Sequence, residues 1–328
     1  MSQFVLVTGA TGFLGNNVVR SLLANGKQVR VLVRGGKRRP SLTGLDVEIA
    51  RGDVSDFDAV HAACSGVDAI VHCAARVQIG GSNRELFQKV NVGGTKSVCA
   101  VARAGNIPLV HVSTVNALAV GSATSPANED TPLSGNEVPA QYVVTKRESD
   151  NVVRNAINDG LAATIVHPGF MLGPFDWKPT SSQMLHAVAK NWGRFTPRGG
   201  CSVCDARDVS DAIVKITANY PSARSYVLAG VNLTYLELWR SMARVVGAWQ
   251  PRIRVDRVTA AIAGRVGDVV ERLGRDSVVN SMAVKMGNQF HYYSSLRAEQ
   301  ELGYRNRELV ETIQDAWHWQ VHERPKLI

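Results

Sequence analysis

VTGATGFLGNNVV, residues 7–19, places Gly9, Gly12 and Gly15 between an apolar run and a helical stretch. Each glycine has its own task in such a turn. Gly9 permits a tight reversal, Gly12 lets the backbone approach a pyrophosphate, and Gly15 lets the helix pack close to the strand. The helix N-terminus adds unpaired N–H groups and a positive dipole. The spacing, directly after a strand and before a helix, predicts a dinucleotide site built on Gly9, Thr11, Gly12, Phe13, Leu14 and Gly15.

Working outward, FVLVTG (4–9), QVRVLV (28–33), VEIARG (47–52), AIVHCA (69–74), LVHVST (109–114) and AATIVHP (162–168) read as strands. Helix-length segments such as 15–26 and 83–105 lie between them. Alternation of this kind predicts right-handed βαβ units and an α/β fold, a Rossmann-type doubly wound parallel sheet. After Pro168 the rhythm breaks at Gly173-Pro174, Pro179, Pro197, Gly199 and Gly200. Helices are expected near 180–190 and over 206–220, and a strand over 225–230. Everything beyond Leu233 reads as mostly helical. The division expected is a nucleotide-binding domain over 1–167, to which 203–230 return. A smaller, mostly helical substrate-binding cap would be built from 168–202 and 231–328. Residues 257–287 could form an amphipathic surface helix for membranes or partners, but packing on the first domain is the expectation.

The 328 residues carry 37 Lys+Arg against 28 Asp+Glu, a formal charge of +9. The basic residues are spread along the chain without a nucleic-acid-binding motif, which reads as a solvated surface and excludes a nucleic-acid partner. No apolar run is long enough to span a membrane, and MSQFVLVTGA lacks the marks of a signal peptide, so a cytoplasmic protein is expected. Five cysteines suggest reduced thiols. Cys201-Ser-Val-Cys204 reads as extended, which would point its two thiols to opposite faces, and no second pair completes a metal site.

The end of the second strand selects the dinucleotide. An Asp or Glu there would accept from a ribose 2′-hydroxyl, but the position reads Val33-Arg34 and the next acid is Asp46. Arg34 can grip a 2′-phosphate bidentately and stack on adenine, with Lys37 adding charge, so NADP(H) is favoured over NAD(H). Asp53, followed by Val54 after the third strand, can accept from the adenine amino group; otherwise it caps the next helix, a role open equally to Ser55.

Tyr142-Val-Val-Thr-Lys146 places a phenol and an ammonium one helical turn apart. The ammonium is expected to lower the phenol pKa, giving a general acid for a developing alkoxide. Ser113-Thr114 ends the fifth strand, and Asn91 sits in KVNVGGT. A hydroxyl at that strand end could donate to a substrate carbonyl alongside the tyrosine.

TGATGFLG, RGDV, VHCAA, NVGGT, HVST, YVVTK, HPGFMLGP and ARDVSDAI follow one another in an order that resembles the extended short-chain dehydrogenase/reductases. Within that family the chain looks like the dihydroflavonol reductases and 3β-hydroxysteroid dehydrogenases, and HPGFMLGPFDWKPTSSQM resembles hopanoid-associated sugar-epimerase-like proteins. The resemblance implies a Thr114, Tyr142 and Lys146 triad, with Asn91 assisting. It also implies that Lys146 binds the nicotinamide ribose, that Ala74 and Ala75 line the cofactor, and that His167, Pro168, Gly169 and Phe170 flank the nicotinamide. A homodimer through helices around 83–105 and 139–159 is a further implication.

Departures from the family pattern narrow the chemistry. Sugar-nucleotide dehydratases carry Asp-Glu after the catalytic Thr, whereas Val115-Asn116 follow Thr114. Sugar epimerases carry an Asn where this chain has Phe170 and an Arg close to Cys201. Loss of these groups favours NADPH-dependent reduction of a ketone or aldehyde, a less charged small molecule, over sugar-nucleotide epimerisation or a non-catalytic NADP(H) sensor. Phe170, Met171, Phe175 and Trp177 would line an apolar wall or simply fill the core.

Overall fold

The structure is a computed structural model that describes residues 3–35, 39–77, 83–190, 195–219, 225–273 and 279–324. Lys37 lies outside the described residues. The chain runs β1 (Phe4–Thr8), α1 (Phe13–Ala24), β2 (Gln28–Val33), β3 (Glu48–Arg51), α2 (Phe57–Ala63) and β4 (Ala69–His72). Then come α3 (Arg84–Phe87), a π-helical turn (Gln88–Gly93), α4 (Gly94–Ala104), β5 (Leu109–Val112), α5 (Gln141–Asn158) and β6 (Ala163–Pro168). The expected single helix over 83–105 therefore contains a π-bulge, which places Asn91 in wide, locally irregular backbone.

These strands and β10 (Ser225–Leu228) form a seven-stranded parallel sheet in the order β10-β6-β5-β4-β1-β2-β3. Strands buried on both faces must be apolar at successive positions. In β1, Val5 and Val7 join a core on one face with Val18, Val19 and Leu22 of α1 and Val209 and Ile213 of α7 (Ala206–Asn219). Leu6 joins the opposite core with Val60 of α2, Val98 of α4 and Val153 of α5.

The remaining elements are β7 (Phe170–Leu172), α6 (Ser182–Ala189), β8 (Phe195–Thr196), β9 (Gly200–Asp205), β11 (Val231–Thr234), α8 (Tyr235–Val246), β12 (Ile253–Arg254), α9 (Arg257–Arg272), α10 (Ser281–Gly287), β13 (Phe290–His291), α11 (Leu296–Leu302) and α12 (Leu309–His318). The return expected at 203 falls inside β9, whose hydrogen-bonding partners are β7, β11 and β13 rather than the main sheet. The cap is thus part sheet as well as helix. β9 is extended as expected, and its two thiols diverge: Cys201 enters a core with Leu238 and Met242 of α8, while Cys204 enters the core of the main sheet.

The expectation for 257–287 holds for α10, whose Met286 and Met282 pack with Phe87 of α3 and Tyr142 and Val143 of α5, but not for α9, which lies on α10 instead. Its polar side meets α10, through Asp268 with Ser281 and Glu271 with Asn280, and its apolar side is left in solvent.

The glycine turn is close-packed backbone. Gly9 has φ +72°, and a Cβ on Gly15 would lie 2.3 Å from the Gly9 carbonyl oxygen. Backbone on both sides cannot yield cheaply, so Gly15→Ala should cost about 2 kcal/mol or more. Chemical denaturation measures this, and an unchanged midpoint would show that the turn has slack.

Candidate active site

At the cofactor cradle, α1 starts from Gly12 with no side-chain cap and no acidic residue in its first turn. Some helices carry side-chain caps, Asp56, Thr234 and Asp256 accepting from early amides of α2, α8 and α9, whereas α1, like α5 and α6, has none. Leaving the α1 amides unpaired fits an external anion held by backbone alone. Gly9 is also held tightly against the next strand, since its Cβ would stand 2.6 Å from the Ala74 nitrogen. Thr11 and Phe13 are half-buried and Leu14 is buried.

Arg34 is exposed at the end of β2, and its charge acts on Asp53. Burial works to raise the Asp53 pKa, but hydrogen bonds from the Ser55 amide (2.9 Å) and hydroxyl (2.8 Å) lower it. With the charges of Arg34 and Lys89, they hold the carboxyl below its ordinary value. Neither Asp53 nor Ser55 caps α2. That role belongs to Asp56, which accepts from the amides of Asp58 and Ala59, and Val54 is buried beside Gly94.

Tyr142, in the first turn of α5, lies beside Thr114 just beyond β5, near enough for the Thr114 hydroxyl to pull the phenol pKa down. Thr114 is the hydroxyl so placed; the neighbouring Ser113 Oγ is buried without a partner among the described residues. Lys146 Nζ, one turn along α5, donates to the Val112 carbonyl at 2.7 Å. It therefore fastens the strand end that carries Thr114. The expected depression of the phenol pKa by this ammonium is not found. Burial pushes Tyr142 up to about 12, the Thr114 hydroxyl opposes this, and the charge of Asp150 adds to it. Burial lowers Lys146 to about 8, against the charges of Asp150 and Cys73.

Beneath these residues lies a polar layer that the sequence analysis missed. Thr8, His72, His111 and His167 come from β1, β4, β5 and β6 and project to the side covered by α5. Tyr142, Lys146 and Asp150 follow at i, i+4 and i+8, so they share a helix face. Asp150 Oδ2 accepts from His167 Nε2 at 3.1 Å, and Oδ1 lies 3.5 Å from His111 Nε2. Burial works to raise the Asp150 pKa, but the two imidazoles outweigh it and hold the carboxylate well below its ordinary range. Burial takes His111 down to about 4 and His72 well below its ordinary value.

His72 anchors a second string of hydrogen bonds. The Ala74 amide donates to Thr8 Oγ1 (3.3 Å), which pairs with His72 Nδ1 (2.7 Å). His72 Nε2 pairs with Thr95 Oγ1 (3.2 Å), which donates to the Asn91 carbonyl (2.6 Å). With His72 neutral and carrying its proton on Nε2, every member of the string is satisfied in one direction.

Two expected site residues are occupied elsewhere. The Asn91 side chain clamps the backbone of residue 76, accepting from its amide at 2.7 Å, and donates to Thr145 Oγ1 at 2.9 Å. His167 is fully buried toward Asp150, so of the segment expected beside the nicotinamide only Pro168, Gly169 and Phe170 lie beyond it. Phe170 packs in the cap core and Met171 against the main-sheet core. Trp177 donates to Asn16 Oδ1 at 3.2 Å and meets Trp319 edge to face, while Phe175 lies under the Arg20 guanidinium. Met171, Phe175 and Trp177 are therefore packing residues that tie α1 to the C-terminal helices.

A glycine cradle at the first β–α turn, with Thr, Tyr and Lys gathered at the carboxyl ends of the parallel strands, defines an NAD(P)-binding enzyme of the extended short-chain dehydrogenase/reductase type. The model of the NAD dependent epimerase/dehydratase family matches residues 5–229, and the chain belongs to that family. It is 29% identical, over 97% of its length and 95% of the relative, to a protein of Synechocystis sp. provisionally named a dihydroflavonol 4-reductase. It is 31% identical to the 2-alkyl-3-oxoalkanoate reductase of Stenotrophomonas maltophilia, covering 92% of this chain and 94% of that one. The fold matches the dTDP-glucose 4,6-dehydratase of Streptomyces venezuelae, solved with NAD bound, at a TM-score of 0.77 and 23% identity, covering 99% and 98% of the two chains. Among the described residues, no helix is long and apolar enough to cross a membrane.

The buried imidazoles set an acid limit. His111 and His291 each titrate near 4 when folded and 6.5 when free, chiefly through burial. The unfolded chain therefore binds more protons than the folded one between those values. Their contribution is complete above pH 6.5 and falls as pH drops toward 4, by on the order of 3 kcal/mol each. Urea midpoints should decline across that window. A flat profile would mean that these imidazoles are already charged in the fold.

Proposed function

We propose that this protein reduces a ketone or aldehyde to an alcohol at the expense of NADPH. The observation that carries this reading is the placement of Thr114 and Tyr142 together at a strand end, a hydroxyl beside a phenol held protonated by burial. Two O–H groups in that position suit a carbonyl oxygen, which Thr114 orients and Tyr142 protonates as charge develops on it. Lys146 holds the strand end that carries Thr114 through its hydrogen bond to the Val112 carbonyl. NADPH supplies the hydride when bound; Gly12 and the free amides of α1 would hold its pyrophosphate, Ala74 and Ala75 would line it, and Arg34 would meet its 2′-phosphate. The relatives named as reductases of oxo compounds support the same chemistry.

Tyr142→Phe removes the proton donor and leaves the ring. Turnover should fall by about 10²–10⁴-fold while NADPH binding, followed by its fluorescence, stays near wild type. Wild-type-like turnover would refute the assignment of the acid.

Arg34→Asp places a carboxylate where the 2′-phosphate would sit. NADPH affinity should drop by about tenfold or more with NADH affinity equal or better. Unchanged NADPH affinity would refute the assignment of Arg34.

Nucleotide-sugar epimerisation is the second reading. In its favour is a cleft lined by Arg198, Arg254, Asn288 and Phe290, where two guanidiniums could meet a diphosphate. A panel of ketones and aldehydes followed by NADPH oxidation, run beside UDP-sugar epimerisation, separates the two. Epimerisation without net cofactor turnover would replace the first reading with the second.

A further inference from the structure

Along α9, Val258, Ile262, Val266 and Val269 are 69, 57, 59 and 52% exposed, and Leu273, the residue that caps the helix, is 76% exposed. Their spacings of 4, 4, 3 and 4 residues confine them to an arc of about 80° on the helix surface. Scattered exposed apolar residues are ordinary, but five in register on one helix are a surface with a purpose. The opposite side of α9 is committed to the protein. A Cβ on Gly264 would stand 3.1 Å from the Ser281 Cα, Asp268 accepts from the Ser281 amide and hydroxyl, and Glu271 accepts from Asn280.

The charges are sorted in the same way. Asp256 is spent capping the helix, and Asp268 and Glu271 are turned to α10. Arg265 is exposed on the helix, and Arg252 and Arg254 are exposed on the strand segment that leads into it. On that segment Ile253 pairs with Phe195, and both are more than half exposed. An apolar stripe with exposed arginines nearby, and with its acids held at the helix cap and on α10 rather than along the stripe, is the pattern of a helix that lies in the plane of a membrane interface. A second copy of the chain is a poorer occupant, because pairing two stripes would bring the same arginines together in a protein of formal charge +9.

We infer that α9 docks the protein on an anionic lipid surface, its apolar stripe lying among the headgroups and Arg252, Arg254 and Arg265 meeting lipid phosphates. The docked face is one helix from the active site. α10, which α9 covers, contributes Met286 to the same apolar cluster as Tyr142. Binding therefore sets the reaction site beside the bilayer without burying the chain in it.

Flotation of the full chain with phosphatidylcholine vesicles, with and without roughly one-third phosphatidylglycerol, tests this. Wild type should float with the anionic vesicles and lose them in high salt. Ile262→Glu/Val266→Glu should weaken that binding by about tenfold or more at an unchanged melting temperature. Arg265→Glu, which spares the stripe, should weaken it severalfold and specifically for the anionic vesicles. The proposal fails if wild type does not float, if the double variant floats as well as wild type, or if the Arg265 variant keeps full binding. It fails equally if sedimentation shows that the stripe instead holds a dimer that the double variant dissolves.

Discussion

Asp150 is a carboxylate with almost no access to water, set between two imidazoles and behind the ammonium of Lys146. A lone buried charge of that kind would cost several kcal/mol. It is tolerated because the ammonium balances it and one imidazole donates to it. Lys146 in turn is tolerable at its depth because Asp150 opposes the effect of burial on it. The two charges thus require one another, and their requirement fixes the relative position of α5, β5 and β6.

The rest of the site follows from that constraint. With α5 fixed, the Tyr142 phenol is delivered to the strand end where Lys146 has already fastened Val112 and hence Thr114. The same negative charge discourages a second anion nearby, so the phenol stays a phenol. On the other side of the layer, His72 carries the order through Thr8 to Ala74 and through Thr95 to Asn91. Ala74 and Asn91 are thereby the two ends of one hydrogen-bonded string.

The sheet and the cradle were legible in the sequence because they rest on local rules. Strand periodicity, glycines demanded by backbone contact, and i, i+4 spacing each act over a few residues. The buried layer was not, because its members lie on four strands and a helix and meet only when the sheet is assembled. There was a trace of it: Val71-His72, Val110-His111 and Val166-His167 put the same dipeptide at three successive strand ends, and Asp150 extends the Tyr142, Lys146 spacing by one more turn. That Asn91 and His167 spend their side chains on Arg76, Thr145 and Asp150 was hidden for a related reason. A motif gives the position of a residue, but the direction of its side chain is decided by what the neighbouring strands and helices leave unpaired. The pKa of Tyr142 shows the same limit, since burial, which sequence spacing does not report, outweighs the nearby ammonium.

β9 carries Cys201 into the cap core and Cys204 into the core of the main sheet, and it pairs with β7, β11 and β13 along its length. One strand is thus the party wall of two rooms. A lid that swings needs a seam across which few contacts pass, and here the seam is filled by a shared strand. The cap and the nucleotide-binding layer should therefore melt together, because rotating the whole cap would break the packing that β9 shares with both.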